Sequence, residues 1–167
     1  NDNRLSLEEA AAVTFMELPM GKFDDMGILT DGIKSISGIE FFTNLEVLDC
    51  SYNPLEGELD FSSQTKLVEL YLIKTGKVAG LNVKQCTSLK VLNCISNQIT
   101  SLDVTECYNL EKLVCSENLL TEIDVTKNTK LINLATGQNE ELASIDLSKC
   151  TELETIALSS TKISSVD

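Results

Sequence analysis

The 167-residue sequence predicts a solenoid: a right-handed, curved stack of coils with about seven short parallel strands on its concave side. Its convex side is expected as short 3-10 turns or extended strand, with a helical cap at the N-terminus. Two observations predict this. Leucines at 45, 67, 89, 110, 131 and 153 return every 21 or 22 residues, and each opens the same phrase, complete in Leu89-Lys90-Val91-Leu92-Asn93-Cys94-Ile95-Ser96-Asn97-Gln98-Ile99. Inside that phrase apolar and outward positions alternate with period two, as a strand with one buried face requires.

The phrase reduces to LxxLxLxxNx(L/I), the signature of the leucine-rich repeat. One such unit cannot hide its own apolar face, so the units must stack. With 43% hydrophobic residues, the chain buries its core as a single domain, residues 1–167. Residues 1–44 form a cap and an irregular first unit, and residues 45–167 form the repeats, the last of them incomplete.

Taken in order, Ser6-Leu7-Glu8-Glu9 is a capping box, which predicts a short helix through Ala10, Ala11 and Ala12. Val13 to Leu18 matches the strand template, and Ile33, Ile36 and Ile39 supply the return toward Leu45. The 32 residues from Val13 to Leu45 exceed one unit by roughly ten. The surplus falls in a loop from Pro19 to Asp31 containing Phe23, Asp24, Asp25 and Met26, which reads first as a packing flap.

Each later unit offers two inward patches. The strand supplies Leu48 and Cys50, Leu70 and Leu72, Leu92 and Cys94, Leu113 and Cys115, Leu134 and Thr136, and Ile156 and Leu158. The return supplies Leu59 and Phe61, Leu81 and Val83, Leu102 and Val104, Ile123 and Val125, and Ile145 and Leu147. Asn53, Asn97, Asn118 and Asn139 hold the bend between them, where a short amide donates to and accepts from exposed backbone groups. Thr75 and Thr161 depart from that pattern, so their turns are expected to be the least regular. The hydroxyl residues Ser62, Thr105, Thr126 and Ser148, with Lys84 in the same column, are expected to cap a single turn. The last unit stops in mid-return without a polar cap, which predicts either a fragment of a longer chain, the favoured reading, or an end covered by a second copy.

The six cysteines follow the repeat. Cys50, Cys94 and Cys115 fill the third apolar slot, and Cys86, Cys107 and Cys150 one slot of the return. Stacked strands hold equivalent side chains ~4.8 Å apart with parallel Cβ vectors, whereas a disulfide wants Cβ atoms ~3.8 Å apart and facing each other. With no CxxC and no histidine, a zinc site is also disfavoured, and the cysteines read as buried thiols. The net charge of -13 opposes nucleic acid and anionic lipid. No apolar run approaches the ~20 residues of a membrane span, and the start Asn1-Asp2-Asn3-Arg4 has no signal-peptide core.

From Ile36-Ser37-Gly38-Ile39-Glu40-Phe41-Phe42-Thr43-Asn44-Leu45 into Leu48-Asp49-Cys50-Ser51-Tyr52-Asn53, the chain resembles the internalin-like leucine-rich repeats of bacterial surface proteins. Later returns such as Ser101-Leu102-Asp103-Val104-Thr105 are similar to a variant found in exported proteins and lipoproteins of gut and oral anaerobes. The resemblance implies a secreted, cell-surface or outer-envelope protein that adheres to or binds another protein, host or envelope, without catalysis. It does not say which protein.

In this architecture the outward strand positions face the concave side in three rows. The first is Phe15, Val47, Glu69, Val91, Lys112, Asn133 and Thr155. The second is Glu17, Asp49, Tyr71, Asn93, Val114, Ala135 and Ala157, and the third is Pro19, Ser51, Ile73, Ile95, Ser116, Gly137 and Ser159. Tyr71, Ile73, Val91, Asn93, Ile95 and Val114 are adjacent across units two to four, a largely apolar patch and the candidate partner-binding site. β-Branched residues also favour strands whatever they face.

A ladder of Asp60, Asn82, Asp103, Asp124, Asp146 and Asp167 runs along the return. Calcium takes about six to eight oxygens, more than one or two per unit supply, so the ladder reads as a solvated acidic edge able to accept local N–H groups. No catalytic, metal or cofactor constellation emerges. Asp49 and Glu69 approach the roughly 5 to 9 Å of a glycosidase pair, but nothing shields them from water. The expectation is a non-catalytic binding module, with a spacer displaying another domain as the alternative and a carbohydrate-active accessory protein as the weaker one.

Overall fold

The computed structural model describes residues 6–166. The polar start at residues 1–4 and Asp167 lie outside the described residues. Helix α1 (Leu7–Ala11) begins at the expected capping box: the Glu9 backbone N–H donates to Ser6 Oγ at 3.2 Å, and Ser6 N–H donates to the Glu9 carboxylate at 2.8 Å. Asn44 Nδ2 donates to Ala11 O at 2.7 Å, which seats the end of the helix on the first full coil.

Strand β1 (Phe15–Glu17) follows, then the surplus loop and a 3-10 turn at Ile39–Phe41. The repeats then contribute β2 (Val47–Asp49), β3 (Leu55–Asp60), β4 (Glu69–Tyr71), β5 (Gly76–Asn82), β6 (Val91–Asn93), β7 (Ser101–Leu102), β8 (Lys112–Val114), β9 (Asn133–Ala135) and β10 (Thr155–Ala157). Strands β1, β2, β4, β6, β8, β9 and β10 form one seven-stranded parallel sheet in that order. Pairing is in register: Met16, Leu48, Leu70, Leu92, Leu113, Leu134 and Ile156 face one another from neighbour to neighbour. The expected fold is therefore the observed one. Hydrogen bonding continues past the formal strand ends, as in Cys50 N to Tyr71 O at 2.9 Å and Leu72 N to Asn93 O at 2.7 Å.

The strand leucines between β2 and β9 are buried, as are the return residues from Leu59 to Ile145. The column changes character at the far end, where Ile156 is 45% exposed on β10, the outermost strand. On the return side, β3, β5 and β7 form a second parallel sheet of three strands, the extended one of the two alternatives expected there. It is irregular: the β3–β5 register shifts between Gly57 and Glu58, opposite Val78 and Gly80. Units one and two have the same length, so the residue that β5 carries in excess at the bulge offsets the one by which Asn53 to Leu55 exceeds Thr75 to Gly76.

The bends are more uniform than the sequence suggests. Tyr52, Lys74, Ser96, Glu117, Gln138 and Ser160 all adopt left-handed backbone with φ between 50° and 60°, directly before the asparagine or threonine position. Thr75 and Thr161 thus sit in the same turn as the asparagines, and the expected irregularity is confined to the stretch after Thr75. What changes is reach. Asn118 Nδ2 donates to Cys94 O at 2.9 Å, Cys115 O at 3.1 Å and Ser116 O at 3.1 Å, while its Oδ1 accepts from Ile99 N at 3.0 Å. Thr161 Oγ1 donates only to Leu158 O, at 2.9 Å.

All six cysteines are buried and unpaired. The return column of Cys86, Cys107 and Cys150 also holds Gln64 and Asn128, each three residues before a repeat leucine. Every member turns its donor onto the coil before: Gln64 Nε2 to Ile39 O, Cys86 Sγ to Phe61 O, Cys107 Sγ to Val83 O, Asn128 Nδ2 to Val104 O and Cys150 Sγ to Val125 O. This column therefore selects a small donor rather than a thiol as such.

Candidate functional site

The sheet presents its unburied side chains as rows fixed by register. Glu17, Asp49, Tyr71, Asn93, Val114, Ala135 and Ala157 are successive partners, as are Phe15, Val47, Glu69, Val91, Lys112, Asn133 and Thr155. Tyr71, Val91, Asn93 and Val114 are half-buried against their neighbours, as are Ile73 and Ile95 just past the strand ends. The six residues selected from the sequence thus lie on adjacent strands of one face.

Tyr71 is the anchor of this patch. Its hydroxyl donates to Glu69 Oε2 at 2.7 Å. Burial, then the Glu69 hydrogen bond and the charges of Glu69 and Asp49, push its phenol up to about 12, so it remains a neutral donor. Ile73 is held by a bond from its N–H to Ser51 Oγ at 3.1 Å. Toward β10 the surface becomes shallow, with Ala135, Gly137, Ala157 and Ser159. A Cβ on Gly137 would stand 2.9 Å from Ser159 O, so this part of the face is backbone packed on backbone.

Electrostatically the face is uneven. Glu17, Asp49 and Glu69 crowd the end near β1, and Lys112 stands alone on β8. The Asp49 carboxylate accepts from Ser51 N at 2.8 Å, and Glu69 is tied to Tyr71, so the suspected carboxylate pair is committed to local bonds. Burial above all pushes Cys50, Cys86, Cys107 and Cys115 up to about 12, Cys94 well above its usual value and Cys150 above it, which favours the neutral thiol over the nucleophilic thiolate. Among the described residues, no three His, Cys, Asp or Glu side chains converge to hold a metal ion, and no helix is long and apolar enough to cross a membrane.

The aspartate ladder has a local role. Asp60, Asp103, Asp124 and Asp146 each accept from the backbone N–H two residues on, at 2.8 to 3.1 Å, and Thr105 and Thr126 add their hydroxyls at 2.6 and 2.7 Å. The aspartates, rather than the hydroxyl residues, are therefore the caps of the return turn. A groove of about 660 Å³ runs beside Asp103, Glu122, Asp124 and Asp146, away from the sheet face.

Hydrogen bonds from Ser62, Thr105, Thr126 and Ser148 hold Asp60, Asp103, Asp124 and Asp146 below the usual aspartate value. A carboxyl depressed on folding stabilises the fold fully above its unfolded value, about 3.9, and that contribution disappears as pH falls through the lower folded value. The melting temperature is therefore expected to fall below about pH 4, and D103A/D124A should flatten that acid limb while melting lower at pH 7. An acid limb identical to the wild type's would remove the ladder from the account.

The leucine-rich repeat family model matches residues 44–64. Among solved structures, the functional domain of InlJ from Listeria monocytogenes, described as including a cysteine ladder, superposes with a TM-score of 0.76 at 35% identity, over 83% of this chain and 30% of that one. An internalin, InlF, from the same species gives 0.64 at 21% identity, over 96% and 52%. A leucine-rich repeat protein of Leptospira interrogans gives 0.61 at 21%, over 80% and 42%. This chain thus spans about a third of the first relative and about half of the second, and the two lower identities speak for the fold alone. No curated protein matches the chain.

Proposed function

We propose that this internalin-like leucine-rich repeat protein is a non-catalytic interaction module that binds one protein partner across its concave sheet, with Tyr71, Ile73, Val91, Asn93, Ile95 and Val114 at the centre of the contact. The observation that carries this reading is the in-register cluster of half-buried apolar side chains on the sheet face opposite the core. Apolar contacts flanked by polar residues, with a tyrosine among them, are what interface hot spots are made of. The parallel ladder beneath fixes the spacing of those contacts, which limits the entropy lost on binding. The resemblance to internalin-like repeats, and the 35% identity to the InlJ domain, support export to the bacterial surface or envelope and a part in adhesion.

The test is capture from host extracellular proteins and from the organism's own envelope, comparing wild type with Y71S/I95S. Both substitutions remove half-buried atoms, so each should cost about 1 kcal/mol of stability, a shift of a few degrees in Tm. The expected result is a folded variant that no longer retains the wild-type partner. Undiminished capture by the folded variant would sink the proposal.

A further inference from the structure

The loop from Pro19 to Asp31 is a built hairpin. Phe23 and Leu29 form an antiparallel bridge, Asp24 N donates to Ile28 O at 2.9 Å, and the Asp24 carboxylate accepts from Met26 N and Ile28 N at 2.9 and 2.8 Å. Its root is fixed as well. Gly21 N donates to Tyr52 O at 2.8 Å, Ile33 N donates to Asn53 Oδ1 at 2.8 Å, and the Phe23 ring meets Tyr52 edge-on at 6.1 Å. A Cβ at Gly21 would lie 2.0 Å from Asp31 O, so the two arms are pressed together where they leave the sheet.

This ordered element holds apolar groups in water. Met20 is 63% exposed, Phe23 42%, Met26 79% and Ile28 55%, four of the large exposed hydrophobics within nine residues. A packing flap turns such side chains inward, whereas a docking element turns them outward. Unbranched methionines also adapt their shape to a partner surface.

The hairpin springs from β1, two residues after Glu17. Glu17 is paired in register with Asp49, and Asp49 with Tyr71, whose hydroxyl holds Glu69. Neighbouring strands stand ~4.8 Å apart, so Glu17 and Asp49 oppose each other as like charges, an unfavourable cross-strand pair. Among the described residues none of these three carboxylates belongs to an ion pair, and the hairpin's own Lys22 is engaged with Asp31 at 3.9 Å.

We propose that the hairpin and the acidic corner of the sheet form one further contact for the protein partner, which presents there a lysine or arginine beside an apolar side chain. The cation neutralises Glu17 and Asp49, and the apolar group covers Met20, Met26 and Ile28. This proposal rests on the concave-face reading for its partner but uses residues separate from the Tyr71 cluster.

The probe is a phage-displayed library of random 16-residue peptides selected on the folded chain, with the enriched peptides synthesised and their affinities measured by fluorescence anisotropy. Enrichment in Lys or Arg beside apolar residues is expected. So is a loss of affinity of about tenfold in M26S/I28S and in E17Q/D49N, with weakening at higher salt. Selected peptides without basic residues, full affinity in either variant, or no selectable peptide would each overturn it. So would association of the chain with phosphatidylglycerol vesicles through the hairpin, because the occupant would then be lipid. Peptides that lose affinity in Y71S/I95S but keep it in M26S/I28S would sink this contact and leave the proposed function standing, and the reverse pattern would do the opposite.

Discussion

Replacing Asn118 with alanine is expected to destabilise the protein by about 3–4 kcal/mol, the largest single-residue polar effect in the molecule. The figure follows from which bonds are replaceable. Cys94 O keeps a bond from Asn97 Nδ2, Cys115 O keeps one from Asn139 Nδ2, and Ser116 O keeps one from Ser96 N. Those three carbonyls lose a second donor, at roughly 0.5–1 kcal/mol each. The N–H of the fully buried Ile99 has only Asn118 Oδ1, so it is orphaned at about 1–3 kcal/mol.

N118D sharpens the test, because it keeps the acceptor for Ile99 but turns carboxylate oxygens toward those carbonyls. It should be at least as damaging as N118A at pH 7, and should recover as pH falls, since a protonated carboxyl can donate where the amide did. In urea unfolding, a loss under about 1 kcal/mol for N118A would show that the ladder is not what holds the bends.

The second large effect is Leu92→Ala, with an expected loss of about 3–5 kcal/mol. Leu92 is fully buried and paired in register with Leu70 and Leu113, both fully buried, so neighbouring coils cannot collapse into the cavity without breaking their own ladder. The same slot at the edge behaves differently. Ile156→Ala, on β10, should cost less than about 1 kcal/mol because water already reaches that side chain. Urea unfolding of the two variants tests the contrast, and amide exchange should show β10 opening before β6. Equal losses at the two positions would mean that the last strand is covered in solution.

How much of this could be read in advance depended on what each residue answers to. Leu48, Leu70, Leu92 and Leu113 answer to a period, so the sheet and its register followed from spacing. Asn97 and Asn118 recur in that same period, and their role followed from the donors and acceptors of an amide. The left-handed residues did not show, because Tyr52, Lys74, Ser96, Glu117, Gln138 and Ser160 share no chemistry and none is glycine; the bend imposes their conformation. Gln64 and Asn128 were missed for a related reason. Their column was recognised by its cysteines, whereas its physical requirement is a donor aimed at the preceding coil. Asp103 and Asp124 read in the sequence as an acidic edge able to accept local N–H groups, and the fold adds which donor each one takes, the N–H two residues on that closes the return turn.

The candidate site divides along the same line. Rows on a sheet are a matter of counting, so the repeat spacing alone sets Tyr71 beside its neighbours. The hairpin is a tertiary construction, rooted at Gly21 and Tyr52, in a stretch where the repeat is interrupted and counting gives no direction to Met26 or Ile28.

The return-side sheet ends at β7, and this divides the mechanical behaviour of the solenoid. Where both faces carry a ladder, from β2 to β7, adjacent coils are clamped at two points to nearly the same separation, which resists fanning. Beyond β7 the backs of the coils are joined by scattered bonds such as Asn128 Nδ2 to Val104 O and Cys150 Sγ to Val125 O rather than by a ladder, so from Glu122 onward they spread more readily, like the ribs of a half-opened fan. A partner gripping the inner surface would therefore meet a stiff jaw near Tyr71 and a compliant one near Ala157.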